Sequence, residues 1–168
     1  MKRKTVVADA STLIGLSRIG QLNLLLDLYG EVLIPQAVYN EVAREPKHGS
    51  QKIKRAKYLT VEKVTDRKMV ELFLGHLGRG EAEVLTLSKE KKAELILIDE
   101  KKARKAARRA GFEVVGVLGL LLAAKNRALI PAVKPFIEKL SKQGFRLSKK
   151  VTERALKEAG EQWTQGIE

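Results

Sequence analysis

Leu95-Ile96-Leu97-Ile98-Asp99 is the stretch that decides the fold: four apolar residues in a row, closed by an acid. A run this short, apolar on both of its faces, reads as a strand buried on both sides, the kind found inside a parallel sheet. Upstream, Thr5-Val6-Val7-Ala8 has the same form and also stops on an acid, Asp9. Glu31-Val32-Leu33-Ile34, Leu59 to Lys63 and Phe112 to Val115 supply three more strand signals.

Helical patterns fill the gaps. Leu13, Leu16 and Ile19 step by three behind a capping Ser11 and before Gly20; Leu22 to Leu28 forms a second short helix. Pro35 opens a helix to about Glu45, Pro46 to Ser50 is a loop, and Gln51 to Lys57 is a basic helix. Asp66 caps a helix through Leu74, and the break Gly78-Arg79-Gly80 precedes one from Glu81 to Lys91. Ala103, Ala106, Ala107 and Ala110 give the next helix a narrow face suited to lying on a sheet. Val117 to Asn126, Val133 to Lys142 and Lys149 to Ala159 are the last three. Strands alternating with helices predict an α/β fold with a mostly parallel central sheet covered on both faces. In such sheets ligands gather outside the carboxyl ends of the strands, where Asp9 and Asp99 stand.

At 168 residues and about 150 residues per domain, the chain is expected to be one domain over residues 1–160, followed by a tail, 161–168, that holds the only Trp, Trp163. The absence of Cys excludes disulfides, thiolate metal sites and thiol nucleophiles, and His48 and His76 match no zinc spacing. The longest apolar stretch, Val114 to Ala124, is 11 residues and carries Gly116 and Gly119, too short to span a bilayer. The basic start Met1-Lys2-Arg3-Lys4 is followed by an apolar run that Asp9 interrupts, so no export signal is read and a cytoplasmic protein is expected. Thirty-three Lys and Arg against 20 Asp and Glu give a net charge of +13. An excess this one-sided suits a polyanionic partner, nucleic acid or acidic lipid, although a Lys-rich surface also serves solubility.

Buried acids at strand ends are expensive unless a cation pairs with them. Asp9 alone could be a helix cap; Asp9 and Asp99 on one rim suggest a shared cation. Glu41, between Val38 and Val42, and Glu81, in the first turn of its helix, start from the same rim, although each also reads as an ordinary helix acid. Four carboxylates form an oxygen-ligand set for Mg²⁺ or Mn²⁺. A divalent ion there turns an acidic pocket, which repels phosphate, into one that attracts it.

The order Asp9, Glu41, Glu81, Asp99, with Val7-Ala8-Asp9-Ala10-Ser11, Gly80-Glu81-Ala82-Glu83 and Leu97-Ile98-Asp99-Glu100, resembles a PIN domain. Gly116-Val117-Leu118-Gly119 and Gly144-Phe145-Arg146-Leu147-Ser148 are similar to segments of a prokaryotic PIN-like subfamily. The resemblance runs from about residue 4 to 160. It implies a three-layer α/β/α sandwich and a metal-dependent endoribonuclease, often the toxin of a toxin–antitoxin pair. It also implies Asp9, Glu41, Glu81 and Asp99 as the catalytic, metal-holding quartet and Ser11 as the small hydroxyl beside the first acid. Glu81 departs from the Asp that many members carry, and Glu83 and Glu100 either assist or are solvated. Asp9 and Asp99 would hold the main ion, and water activated there would attack the phosphodiester with no covalent protein intermediate.

Lys101, Arg104, Lys105 and Arg108 line the helix after Asp99, in a run of six cations without an acid, and together with Ser11 are the candidate RNA contacts. Lys52, Lys54, Arg55 and Lys57 form a second basic run, read more readily as a solvated face. With 5% aromatic residues and none within either run, base stacking is not indicated. The alternatives are a nucleic-acid-binding domain with a vestigial metal site and a DNA nuclease. The apolar helices Leu22 to Leu28 and Val117 to Ala124 suggest a homodimer face, and a protein antitoxin is a further expected partner.

Overall fold

The computed structural model describes residues 3–44 and 49–162. Met1-Lys2, most of the loop expected from Pro46, and the tail from Trp163 onward lie outside the described residues.

The chain divides into two compact units, Met1–Val117 and Leu118–Glu168. Among its described residues the first holds five strands, β1 (Val6–Ala8), β2 (Val32–Pro35), β3 (Leu59–Glu62), β4 (Leu95–Leu97) and β5 (Val114–Val115), and seven helices. These are α1 (Ala10–Arg18), α2 (Leu24–Tyr29), α3 (Gln36–Ala43), α4 (Gly49–Arg55), α5 (Arg67–Leu74), α6 (Arg79–Glu90) and α7 (Lys101–Arg109). The strand at each predicted position is present, and the last helices, α8 (Val117–Asn126), α9 (Lys134–Lys142) and α10 (Lys149–Glu158), match their predicted spans to within a residue.

All four strand pairings are parallel, in the order β3-β2-β1-β4-β5. Val7 faces Leu33 on one side and Ile96 on the other, so β1 is flanked by strands far apart in sequence. The chain winds outward through β2 and β3, then returns past β1 to β4, and right-handed crossovers at such a reversal send helices to both faces, giving the α/β/α layers. β1 and β4 are the buried centre: Val6, Val7, Ala8, Ile96 and Leu97 are all at 1% exposure or less. This is why they read as apolar on both faces.

Several local expectations are corrected. α1 is capped by Asp9, whose side chain accepts from the Ala10 N–H, so Ser11 sits inside the helix rather than at its cap. α6 starts at Arg79 on an N-cap at Gly78, which puts Gly80 within the helix rather than in a break. The loop expected to reach Ser50 stops earlier, since α4 begins at Gly49. On α7 only Ala103 and Ala107 are buried, while Ala110 is the exposed C-cap.

In α8 Val117, Leu118, Leu120, Leu121 and Ala124 are buried. Within the second unit Glu161 is a clamp. Its carboxylate accepts the N–H groups of Val133 and Lys134, which start α9, at 2.9 and 3.0 Å, and meets the Lys125 ammonium of α8 at 2.9 Å. Among the described residues no helix is long and apolar enough to cross a membrane.

Candidate active site

Asp9 follows β1 directly, and its N–H extends the sheet by donating to the Leu97 carbonyl at 2.9 Å. Its carboxylate is 3% exposed. Oδ1 accepts from the Ala10 N–H at 2.7 Å and Oδ2 from the Ser11 hydroxyl at 3.0 Å. Ser11 thus steadies the first acid. Despite these donors, burial and then the Glu81 charge, with Glu41 adding to them, push the Asp9 carboxyl up to about 7.

Asp99 lies two residues beyond β4, not at its last position. Oδ2 accepts from the Thr12 hydroxyl at 2.7 Å, and Oδ1 from the N–H of Val117 at 3.0 Å. Burial raises its carboxyl, against these hydrogen bonds and the nearby Arg104 guanidinium. Gly116 allows this crossing: a Cβ there would fall 2.5 Å from Asp99 Oδ1 and 2.8 Å from Arg104 Nη1. Thr12, fully buried, is the functional residue that sequence reasoning missed. The available signal was a hydroxyl on the apolar side of α1, one position after Ser11.

Glu41 and Glu81 come from α3 and α6, which pack on each other. The approach of Glu41 to Asp9 is registered at Gly80, where a Cβ would stand 3.4 Å from Glu41 Oε2 and 3.9 Å from Asp9 Oδ1. The missing side chain on α6 leaves open the space between those carboxylates. Glu41 is exposed along part of its length, yet partial burial and then the Glu81 charge raise its carboxyl, with Arg44 opposing.

Glu83, read as either assisting or solvated, does neither. It is 4% exposed, accepts the Ala37 N–H at the start of α3 at 3.1 Å and faces Arg67 at 3.8 Å. It thereby anchors the helix that carries Glu41. Glu100 is an exposed cap on α7, accepting from Ala103 N–H at 2.8 Å.

Among the described residues no three His, Cys, Asp or Glu side chains stand close enough to form a ready-made cation cage. The donor set nevertheless fits a hard divalent ion. Asp9, Glu41 and Glu81 offer only carboxylate oxygens, and the Glu81 charge raises the carboxyls of both Asp9 and Glu41, a repulsion that a shared cation would remove. Asp99 keeps lone pairs beyond the two that Thr12 and Val117 occupy.

On α7, Lys101, Lys105 and Arg108 are exposed, as a phosphate-tracking surface requires, while Arg104 is half-buried and turned toward Asp99. The stripe therefore starts at the acid rim.

A search of curated proteins finds no match to this chain. A family model described as PIN domain matches residues 5–161, a span that includes parts of both units and every candidate site residue. PIN domains are generally nucleases, hydrolases that typically use divalent metals. With an all-parallel sheet reversing at β1 and acids on that rim, the chain belongs to the PIN-domain family.

Proposed function

We propose that this protein is a Mg²⁺- or Mn²⁺-dependent endoribonuclease. The observation that supports it above all is Asp9: a carboxylate at 3% exposure, at the switch point of the sheet, pushed up by burial and then by neighbouring acids instead of being neutralised. Asp9 and Asp99 would hold the main ion, with Glu41 and Glu81 completing its surroundings. The ion, when bound, supplies Lewis-acid stabilisation of the phosphoryl oxygens and lowers the pKa of water.

The chain's own residues do the positioning. Ser11 and Thr12 orient the Asp9 and Asp99 carboxylates through hydrogen bonds of 3.0 and 2.7 Å. Glu83 fixes α3, and so the reach of Glu41. Lys101, Lys105 and Arg108 guide the phosphate backbone along α7 toward the rim. Arg104 shields Asp99 and stands where incoming phosphate charge would meet it. No side chain is required as a nucleophile.

End-labelled single-stranded RNA incubated with Mn²⁺, Mg²⁺ or EDTA tests the reading, with wild type beside Asp9→Asn and Asp99→Asn. Metal-dependent cleavage lost in both variants is expected. Cleavage that persists equally in all three proteins overturns the assignment of these acids. A DNA strand of the same sequence, run in parallel, tests the preference for RNA. As the toxin half of a toxin–antitoxin pair, the wild type and not Asp9→Asn should arrest growth of a bacterial host, and a cognate protein antitoxin should relieve the arrest.

A further inference from the structure

The amino-terminal edge of the sheet carries a second feature that the nuclease reading does not use. α1 starts at Asp9 on the carboxyl rim and runs back to Gly20, and Tyr58 precedes β3, its carbonyl accepting the Val32 N–H at 2.9 Å. Between them lies a cavity of about 390 Å³, lined by Asn23, Lys52, Arg55, Lys57 and Tyr58, with Leu22 at its apolar side. Its volume lies within the ~300–1,000 Å³ usual for small-ligand sites.

No carboxylate lines this cavity, and among the described residues no ion pair takes up Lys52, Arg55 or Lys57. Lys52 and Arg55 also answer the carbonyl end of α4, but Lys57 lies beyond that helix and has no such role. Tyr58 is half-buried, and its hydroxyl is directed to Asn23 Oδ1 at 3.4 Å, which holds the ring in the wall. Three cations, one fixed aromatic ring, an amide and an apolar side are the complement of a phosphate joined to a planar ring.

We propose that this cavity binds a nucleoside monophosphate, with Arg55 and Lys57 on the phosphate and Tyr58 against the base. The site is distinct from the acid rim, since it lies at the opposite ends of the strands and holds no metal ligand.

Calorimetric titration of the full chain with adenosine monophosphate, in EDTA so that the acid rim holds no ion, is the test. Saturable binding at one site is expected, weakened about tenfold or more by Arg55→Gln and by Lys57→Gln, the loss of one charge-assisted hydrogen bond. Lys142→Gln, which removes an equal charge from an exposed position of α9, should bind as the wild type does. Absence of saturable binding to the wild type overturns the proposal. So does equal weakening by Lys142→Gln, which would make the effect one of net charge. Inorganic phosphate binding as tightly as the nucleotide overturns the role of Tyr58, and adenosine binding as tightly overturns that of the cations. Both cationic side chains are exposed, so unchanged circular dichroism is expected to accompany either loss.

Discussion

Asp9 in the first unit and Glu161 in the second are both carboxylates withdrawn from water, and they behave in opposite ways. Glu161 would be raised by burial alone, but the N–H groups of Val133 and Lys134 and the Lys125 ammonium outweigh that and bring it below the usual range. Asp9 also has two donors, yet its charged neighbours are Glu81 and Glu41, and it rises from 3.8 to about 7. Burial raises both; at Glu161 hydrogen bonds and a positive charge outweigh it, whereas at Asp9 neighbouring acids add to it. At about 1.4 kcal/mol per pH unit, Asp9 costs the metal-free fold roughly 4 kcal/mol above neutral pH. Glu161 is what a structural carboxylate looks like, and Asp9 has the environment that the proposed cation ligand would have without its cation.

The sharpest way to break this comparison is Asp9→Asn. Cleavage should fall by more than the ~10–100-fold typical of residues that only support a metal ligand. In EDTA the same variant should melt higher than the wild type at pH 8, since a repelled buried charge is gone. The sign follows from the raised folded value. Wild-type stability in EDTA declines as pH climbs from 3.8 to about 7, and the penalty is complete above that. A wild-type melting curve flat across this range, with Asp9→Asn superimposed on it, would refute the account of the acid rim.

Thr12→Val tests the rim one step out. Asp99 Oδ2 loses a 2.7 Å donor in a fully buried position, with little change of shape. A ~10–100-fold drop in metal-dependent cleavage is expected, with Thr12→Ser restoring most of it because the hydroxyl returns. Equal loss in both variants would mean that packing, not the hydrogen bond, is what Thr12 contributes. Gly80→Ala is gentler. Its Cβ would press to 3.4 Å from Glu41 Oε2, while the first turn of α6 is stabilised by losing a Gly. Activity should drop severalfold with melting unchanged or raised, and a fall in melting temperature would show that the position is crowded by more than the two carboxylates.

The architecture was legible because burial leaves its mark within single segments. β1 and β4 are apolar on both faces, and Asp66 announces the start of α5 with a side chain that does accept from the Met69 N–H at 3.1 Å. What was not legible depends on partners distant in the chain. Thr12 looks like core filler until Asp99, 87 positions later, is folded against it. Glu83 looks like one of several helix acids, and only the packing of α6 on α3 reveals that it meets the Ala37 N–H. Gly80 reads as a breaker, whereas its purpose in the fold is the space it leaves between two acids. The four acids themselves could be named from order and spacing, but the repulsion of Asp9 by Glu81 and Glu41 could not.

The smallest effect, and the one that completes the comparison, belongs to Glu161→Gln. The amide keeps one acceptor oxygen but presents N–H groups toward Val133 or Lys125, which are donors themselves. The loss of a charge-assisted contact of this kind is about 1.5–3 kcal/mol, read as a lower melting temperature or urea midpoint. Its pH dependence runs against that of Asp9. A carboxylate held below its usual 4.5 contributes stability that is fully present above that value and is lost as pH falls through the lower, folded one. In EDTA, acidification therefore relieves the rim around Asp9 while it loosens the clamp at Glu161. Wild type and Glu161→Gln should differ most above pH 5 and converge in stronger acid, whereas wild type and Asp9→Asn should differ most above pH 7 and converge on the way down. Convergence of both pairs at the same pH would show that one common titration, rather than two oppositely wired carboxylates, governs the acid response of the chain.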